Sequence, residues 1–101
     1  MSISALDVRP ATAVAARVDQ DALVVELRDG RTISAPIGWY PRLVHANEAE
    51  RSNLRLIGGG SGIHWPDIEE DISVESVIAG RPSAESSTSL RRWLETRMLA
   101  T

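Results

Sequence analysis

The sequence predicts a small α+β domain with an added C-terminal amphipathic helix. In this fold an antiparallel sheet, made of a three-stranded meander and a short hairpin, packs on one helix. Three patterns support it: strand-like alternation over residues 13–35, helical spacing after Pro41, and an apolar stripe near the C-terminus. The chain has 101 residues, 43% hydrophobic and 25% charged, as is typical of a single soluble domain. A core of this size leaves little room for a deep substrate cleft, which disfavours an enzyme.

The first part of the chain has the pattern of three antiparallel strands. Its apolar residues, rich in Val and Leu, alternate with polar ones, so that one face of the middle strand is the core side. The dipeptide Asp29-Gly30 favours a two-residue hairpin turn because both turn positions need positive φ. The predicted strands are Ala13–Val18, Ala22–Arg28 and Arg31–Ala35.

The middle of the chain predicts one helix, a hairpin and a second, shorter helix. The first helix spans residues 41–50 and begins at a proline, which is preorganised for the first helical turn. Two short strands, Leu54–Ile57 and Ile63–Trp65, flank the run Gly58–Gly62, whose flexibility indicates a hairpin loop rather than a structured element. Residues 73–79 predict a short helix stopped by a glycine.

The tail predicts an amphipathic helix over residues 89–101, reached through a Ser-rich linker at 81–88. The domain itself is expected over 13–80, after a lead at 1–12. An isolated helix of about twelve residues is marginal in water, so its apolar stripe must dock on its own domain, on a second copy or on a partner. A homodimer is therefore possible. The stripe consists of Leu90, Trp93, Leu94 and Met98.

Several short runs occur in an order and spacing that match a known family. They are Asp29-Gly30-Arg31, Trp39-Tyr40-Pro41-Arg42-Leu43, Ala49-Glu50-Arg51, residues 60–74 and Gly80. Over about residues 13–80 the chain resembles the small bacterial family called domain of unknown function 2442. The one departure noted is Glu69, where the family more usually has aspartate.

The resemblance implies an α+β domain without an established activity. The family has been proposed as the antidote half of toxin and antitoxin-like gene pairs, and some members are fused to a helix-turn-helix. This chain has no room for a complete helix-turn-helix, because one terminal helix cannot both cross the backbone and read the major groove.

The charges are unevenly distributed, although the net charge is only -3. Residues 58–80 carry five acids and no arginine, whereas residues 81–101 carry four arginines and two acids. The acids form a solvated turn, a cluster paired internally with Arg42 and Arg51, or a ridge that faces a basic partner. The five acids are Asp67, Glu69, Glu70, Asp71 and Glu75.

The leading hypothesis is a non-enzymatic protein-binding module, a regulator or antitoxin-like partner of another protein. A small basic protein encoded nearby is the candidate for that partner. Core packing is the default role of the aromatic residues, but an aromatic ring beside an arginine is also typical of interface hot spots. The candidate partner-binding residues are Trp39, Tyr40, Arg42, Arg51, His64, Trp65, Asp67, Glu69, Glu70 and Asp71.

Two alternatives belong to other function classes. The first is a small metal-dependent or acid/base hydrolase centred on His64, Asp67 and Asp71, although their spacing matches no metal-ligand motif. The second is nucleic-acid binding through the Arg-rich C-terminal helix, which the isoelectric point of about 5.3 makes unlikely. We expect neither a metal nor a cofactor.

The chain has no cysteine, which excludes disulfides and cysteine-based zinc sites. Its N-terminus lacks the basic region of a signal peptide, and no stretch approaches the length of a membrane span. These features predict a cytoplasmic protein that does not enter a membrane.

Overall fold

The computed structural model describes residues 11–99 and confirms the α+β class. The predicted lead at 1–12 lies outside the described residues except for its last two positions. The strands form two separate antiparallel sheets, ordered β1-β2-β3 and β4-β5-β6. The strands are β1 Ala13–Val18, β2 Ala22–Leu27, β3 Thr32–Pro36, β4 Arg55–Ile57, β5 Gly62–Trp65 and β6 Glu70–Ser73. The helices are α1 Pro41–His45, α2 Glu48–Ser52, α3 Val74–Ile78 and α4 Ser87–Leu99.

The predicted meander is the first sheet, with each strand boundary within one residue of the prediction. Gly30 has a φ of 98°, as the hairpin turn requires. The Asp29 carboxylate accepts a hydrogen bond from the Arg31 amide at 3.0 Å and so closes the same turn. The turn between β1 and β2 is closed in the same way by Asp19, whose carboxylate accepts from the amides of Asp21 and Ala22, both at 2.8 Å.

The single helix predicted over residues 41–50 is wrong, because two short helices occupy this region. The break falls at Ala46, which is extended, and at Asn47, which caps the second helix. The Asn47 side chain accepts from the Glu50 amide at 2.8 Å, and the Glu50 carboxylate accepts from the Asn47 amide at 2.9 Å. This capping box stabilises a helix start at Asn47 more than continuation of α1 through it.

The second sheet contains a strand that the sequence analysis missed. β6 begins with two residues, Glu70 and Asp71, that were expected to lie in an acidic turn, and it ends at Ser73, which was expected to begin the short helix. It pairs with β5 in the registers Ile63↔Ile72 and His64↔Asp71. Only one of its four residues is apolar, so its composition resembles a loop. The short helix expected after it is confirmed as α3, which the Ser73 hydroxyl caps by accepting from the Ser76 amide at 3.0 Å.

The glycine run joins β4 to β5 as predicted, but it is a 3-10 turn over Gly58–Gly60 rather than a featureless loop. Gly60 has a φ of 96°, and a Cβ atom there would lie 2.4 Å from the Ala13 carbonyl oxygen. The backbone of the second sheet therefore approaches the start of β1 at a distance that only glycine permits.

The two sheets share one hydrophobic core with α1 and α3. Trp65 and Tyr40 are its largest fully buried side chains. The Trp65 indole N–H donates to the Arg51 carbonyl at 3.1 Å, which satisfies the polar atom of this buried ring. None of the helices within residues 11–99 has the length and apolarity needed to cross a bilayer. The buried core cluster consists of Ala13, Leu23, Val25, Leu27, Ala35, Tyr40, Leu43, Ala46, Ile63, Trp65, Ile68, Ile72, Val74 and Val77.

Glu69 is the one non-glycine residue with positive φ in residues 11–99, at 50°. Asparagine adopts this left-handed backbone at lower cost than alanine, because its short polar side chain can bond locally. We therefore expect Glu69→Asn to have a free energy of unfolding higher than that of Glu69→Ala by about 1 kcal/mol in urea denaturation. Both variants remove the same charge, so equal midpoints and slopes would show that the backbone conformation at residue 69 is unimportant.

Candidate functional site

The five acids of residues 67–75, which we call the acidic face, lie on the β5–β6 turn, β6 and α3. Four of them are exposed and Glu70 is half-buried. Asp67 accepts a hydrogen bond from the Asn53 side chain at 2.9 Å. Glu75 lies 3.9 Å from Arg81, and because both side chains are largely exposed this pair contributes little.

The arginines expected to neutralise these acids have other carboxylate or carbonyl partners. Arg42 forms a bidentate ion pair with Glu85, with its closest N···O distance at 2.7 Å. Arg51 donates to the carbonyls of Leu43 at 2.9 Å and Val44 at 3.1 Å, at the end of α1. The predicted internal pairing of the acidic face with the side chains of Arg42 and Arg51 is therefore corrected.

His64 and Asp71 form a close pair across β5 and β6, through His64 Nδ1 and the Asp71 carboxylate. The hydrolase hypothesis placed Asp67 beside them. Asp67 instead lies in the turn beyond β5, where its carboxylate accepts a hydrogen bond from the Asn53 side chain. Within residues 11–99 no group of three or more His, Asp or Glu side chains could hold a metal ion. The pair thus has the form of a histidine oriented by a carboxylate, with no third ligand.

The side chain of Glu70 faces a groove between β6 and residues 81–84. The groove encloses about 270 Å³, and Tyr40 and Ser76 also line it. Burial raises the pKa of Glu70, and the nearby charges of Glu85 and Asp71 raise it further. Burial also raises the pKa of Tyr40, with a smaller contribution from the Glu70 charge.

The three aromatic candidates differ in their access to solvent. Trp65 is fully buried and Tyr40 is 1% exposed, so both rings belong to the core. Trp39 is half-buried, and its carbonyl accepts from the Ser83 amide at 3.0 Å. Of the three, Trp39 therefore presents the most ring surface outside the core.

The C-terminal helix docks on its own domain through Trp93. The indole lies between two guanidinium groups, 5.0 Å from Arg42 and 4.6 Å from Arg97. Arg97 also forms a bidentate ion pair with Glu50, at 2.8 and 3.0 Å, and holds the pKa of that carboxyl below its ordinary value. Of the predicted stripe, Leu90 and Leu94 are half-buried with Trp93, whereas Met98 is 75% exposed.

The linker predicted over 81–88 is attached to the domain at several points. The Arg81 amide donates to the Ser76 carbonyl at 2.9 Å, and the Ser86 hydroxyl accepts from the Ser89 amide at 3.1 Å at the start of α4. Glu85 accepts from Ser89 as well as from Arg42. Sequence reasoning missed Glu85 and Glu50 as anchors of the helix, and the nearest signal was the basic character of the tail.

The family model described as "Protein of unknown function (DUF2442)" matches residues 13–83, and the chain belongs to this family. No curated protein matches the chain. The chain is similar to a crystal structure of a protein of unknown function from Rhodospirillum rubrum, with a TM-score of 0.68 and 25% identity over 76% of this chain and 95% of that one. The family match ends before Glu85. Helix α4 therefore lies beyond the match, as do Glu85 and Arg97, the two tail residues that form ion pairs with the domain.

Trp93→Ala tests whether the stacked indole holds α4 on the domain. We expect the α4 amides to lose hydrogen-exchange protection by roughly tenfold or more, because a free helix of this length is marginal. Amides of β2 and β5 should keep their protection. Arg92→Ala, at an exposed position of the same helix, is the matched control; unchanged α4 protection in Trp93→Ala would show that the ring does not hold the helix.

Proposed function

We propose that this protein is a non-enzymatic, cytoplasmic protein-binding module, a regulator or antitoxin-like partner that binds a basic segment of another protein on its acidic face. Its family and its structural relative have no known function, so the proposal rests on the geometry of the chain itself.

The observation that carries the proposal is the engagement of the nearby arginines. Arg42 is paired with Glu85, Arg51 with carbonyls of α1, and Arg97 with Glu50. Apart from Glu75, which lies near Arg81, the exposed carboxylates of the acidic face therefore have no arginine ion-pair partner within residues 11–99. Such a surface steers and selects a partner of opposite charge over a distance of about 8–10 Å at physiological salt.

Trp39 lies next to the groove that Glu70 lines, because its carbonyl accepts from the amide of Ser83 in the groove wall. It is half-buried and follows β3 directly, in the 3-10 turn Ile37–Trp39 that leads into α1. Half-exposed tryptophan rings are enriched among the residues that dominate binding energies at interfaces. A basic partner that covers the acidic face would gain apolar contact there.

The test compares capture of a partner by three forms of the full chain in cells of the native host. The first is the wild type and the second is the triple variant Asp67→Asn/Glu69→Gln/Glu75→Gln, which removes three exposed acids of the acidic face. The third is the matched control Asp21→Asn/Glu26→Gln/Glu48→Gln, which removes three exposed acids elsewhere.

We expect a stoichiometric basic protein to be retained at low salt by the wild type and the control. The acidic-face variant should retain it about tenfold less, because each lost charge pair contributes a modest electrostatic gain. Equal capture by all three forms, or recovery of no stoichiometric partner, would contradict the proposal.

A second candidate function, an acid/base hydrolase, is favoured by the His64–Asp71 pair. A carboxylate on Nδ1 orients the ring and leaves Nε2 available as a general base. Under this alternative, His64→Ala lowers hydrolysis of some ester, amide or phosphodiester in a substrate panel by about 100-fold, and Asp67→Asn leaves it unchanged. A panel on which the wild type shows no activity above the His64→Ala background would reject it.

A further inference from the structure

The groove beside β6 contains a buried polar atom that has no partner within residues 11–99. The Tyr40 hydroxyl is buried and forms no hydrogen bond there, although its ring is well packed. A buried hydroxyl of this kind destabilises a protein unless something completes its hydrogen bonding. Tyr40 is one of the residues that line the groove, and the charge of Glu70 acts on its hydroxyl, so the two groups lie close together.

Glu70 supplies the charge of the same groove. It lies on the side of β6 shared by Ile72, facing the interior, and its carboxylate accepts only a local hydrogen bond, from the Asp71 amide at 3.1 Å. A charged residue that points inward on an edge strand also discourages pairing with another chain. That role would explain Glu70 but not the unpartnered hydroxyl of Tyr40.

The charges that face Glu70 are mostly of the same sign. Asp71 and Glu85 are acidic, and Arg42, the basic neighbour, is matched by its ion pair with Glu85. Arg81 lies in the wall formed by residues 81–84 and is largely exposed. Within residues 11–99 the groove thus combines a half-buried carboxylate that has no ion pair with a hydroxyl that has no hydrogen-bond partner.

We propose that this groove binds the cationic end of a basic side chain, a lysine ammonium or an arginine guanidinium, carried by the partner protein. Glu70 acts as its counter-ion, and the Tyr40 hydroxyl oxygen accepts one of its hydrogen bonds. The groove's volume of about 270 Å³ admits one long side chain and excludes a folded element. This inference rests on the proposed function, of which it names the recognised chemical group.

The test is an NMR titration of the full chain with short peptides. The probes are acetyl-Ala-Lys-Ala-amide, acetyl-Ala-Arg-Ala-amide, the neutral acetyl-Ala-Gln-Ala-amide, and n-butylammonium as a free amine. The readouts are the amide signals of Ser73, Ser76 and Ser83, which line the groove. We expect the cationic peptides to bind with about millimolar affinity, and the neutral peptide about tenfold more weakly.

Two variants isolate the groups involved. Glu70→Gln should weaken the cationic peptides about tenfold, and Tyr40→Phe roughly fivefold. Tyr40→Phe removes only an unpartnered hydroxyl, so its midpoint of thermal unfolding should equal or exceed that of the wild type. Glu75→Gln removes an exposed acid outside the groove and is the charge-matched control.

Three outcomes would overturn the inference. They are equal binding of the neutral and cationic peptides, unchanged affinity in both Glu70→Gln and Tyr40→Phe, and n-butylammonium, which reproduces the end of a lysine side chain, binding no more tightly than the neutral peptide. The capture experiment separates this failure from failure of the proposed function. If the acidic-face variant loses the partner while the groove variants retain it, the proposed function stands and the groove is not its recognition site.

Discussion

The guanidinium of Arg42 joins α1 to three other parts of the chain. It donates to the Ile68 carbonyl at 2.9 Å in the β5–β6 turn, forms an ion pair with Glu85 at 2.7 Å, and lies over the Trp93 ring of α4. Its side chain is only 15% exposed, so its charge is little screened by water. Arginine suits this position because its planar group can make bidentate hydrogen bonds and stack on an aromatic ring at once.

This arrangement determines the electrostatics of the surface as well as the position of the helix. Arg42 forms its ion pair with Glu85 rather than with an acid of residues 67–75. Burial raises the pKa of Glu70, and the charge of Arg42 opposes that rise only in part. Arg97 and Glu50 repeat the pattern at the far end of the docked face. The tail is therefore attached by ion pairs to Arg42 and Glu50, neither of which belongs to the acidic face.

These anchors also show how the tail relates to the family unit. Arg42 and Glu50 lie within the matched residues 13–83, whereas Glu85, Trp93 and Arg97 lie beyond them. The alignment with the structural relative from Rhodospirillum rubrum spans 95% of that chain and 76% of this one. In this protein the segment beyond the family match is thus held by ion pairs to two residues within it, Arg42 and Glu50.

The sequence by itself determined the elements that depend on near neighbours. The meander follows from period-two alternation and from the Asp29-Gly30 turn, and α3 follows from the short stretch that Gly80 ends. The helix break at Asn47 also depends on near neighbours, and the capping box of Asn47 and Glu50 is the sequence signal that could have predicted it.

Only the tertiary structure decided the separation into two sheets, the pairing of β6 and the surroundings of the acids. β6 is polar in composition and is a strand because β5 offers it a hydrogen-bonding edge. The Arg42–Glu85 pair spans 43 residues and the Arg97–Glu50 pair spans 47, so no local pattern could assign these partners. Charge composition located the acids, but which of them stay unpaired depends on contacts that form only when distant segments fold together.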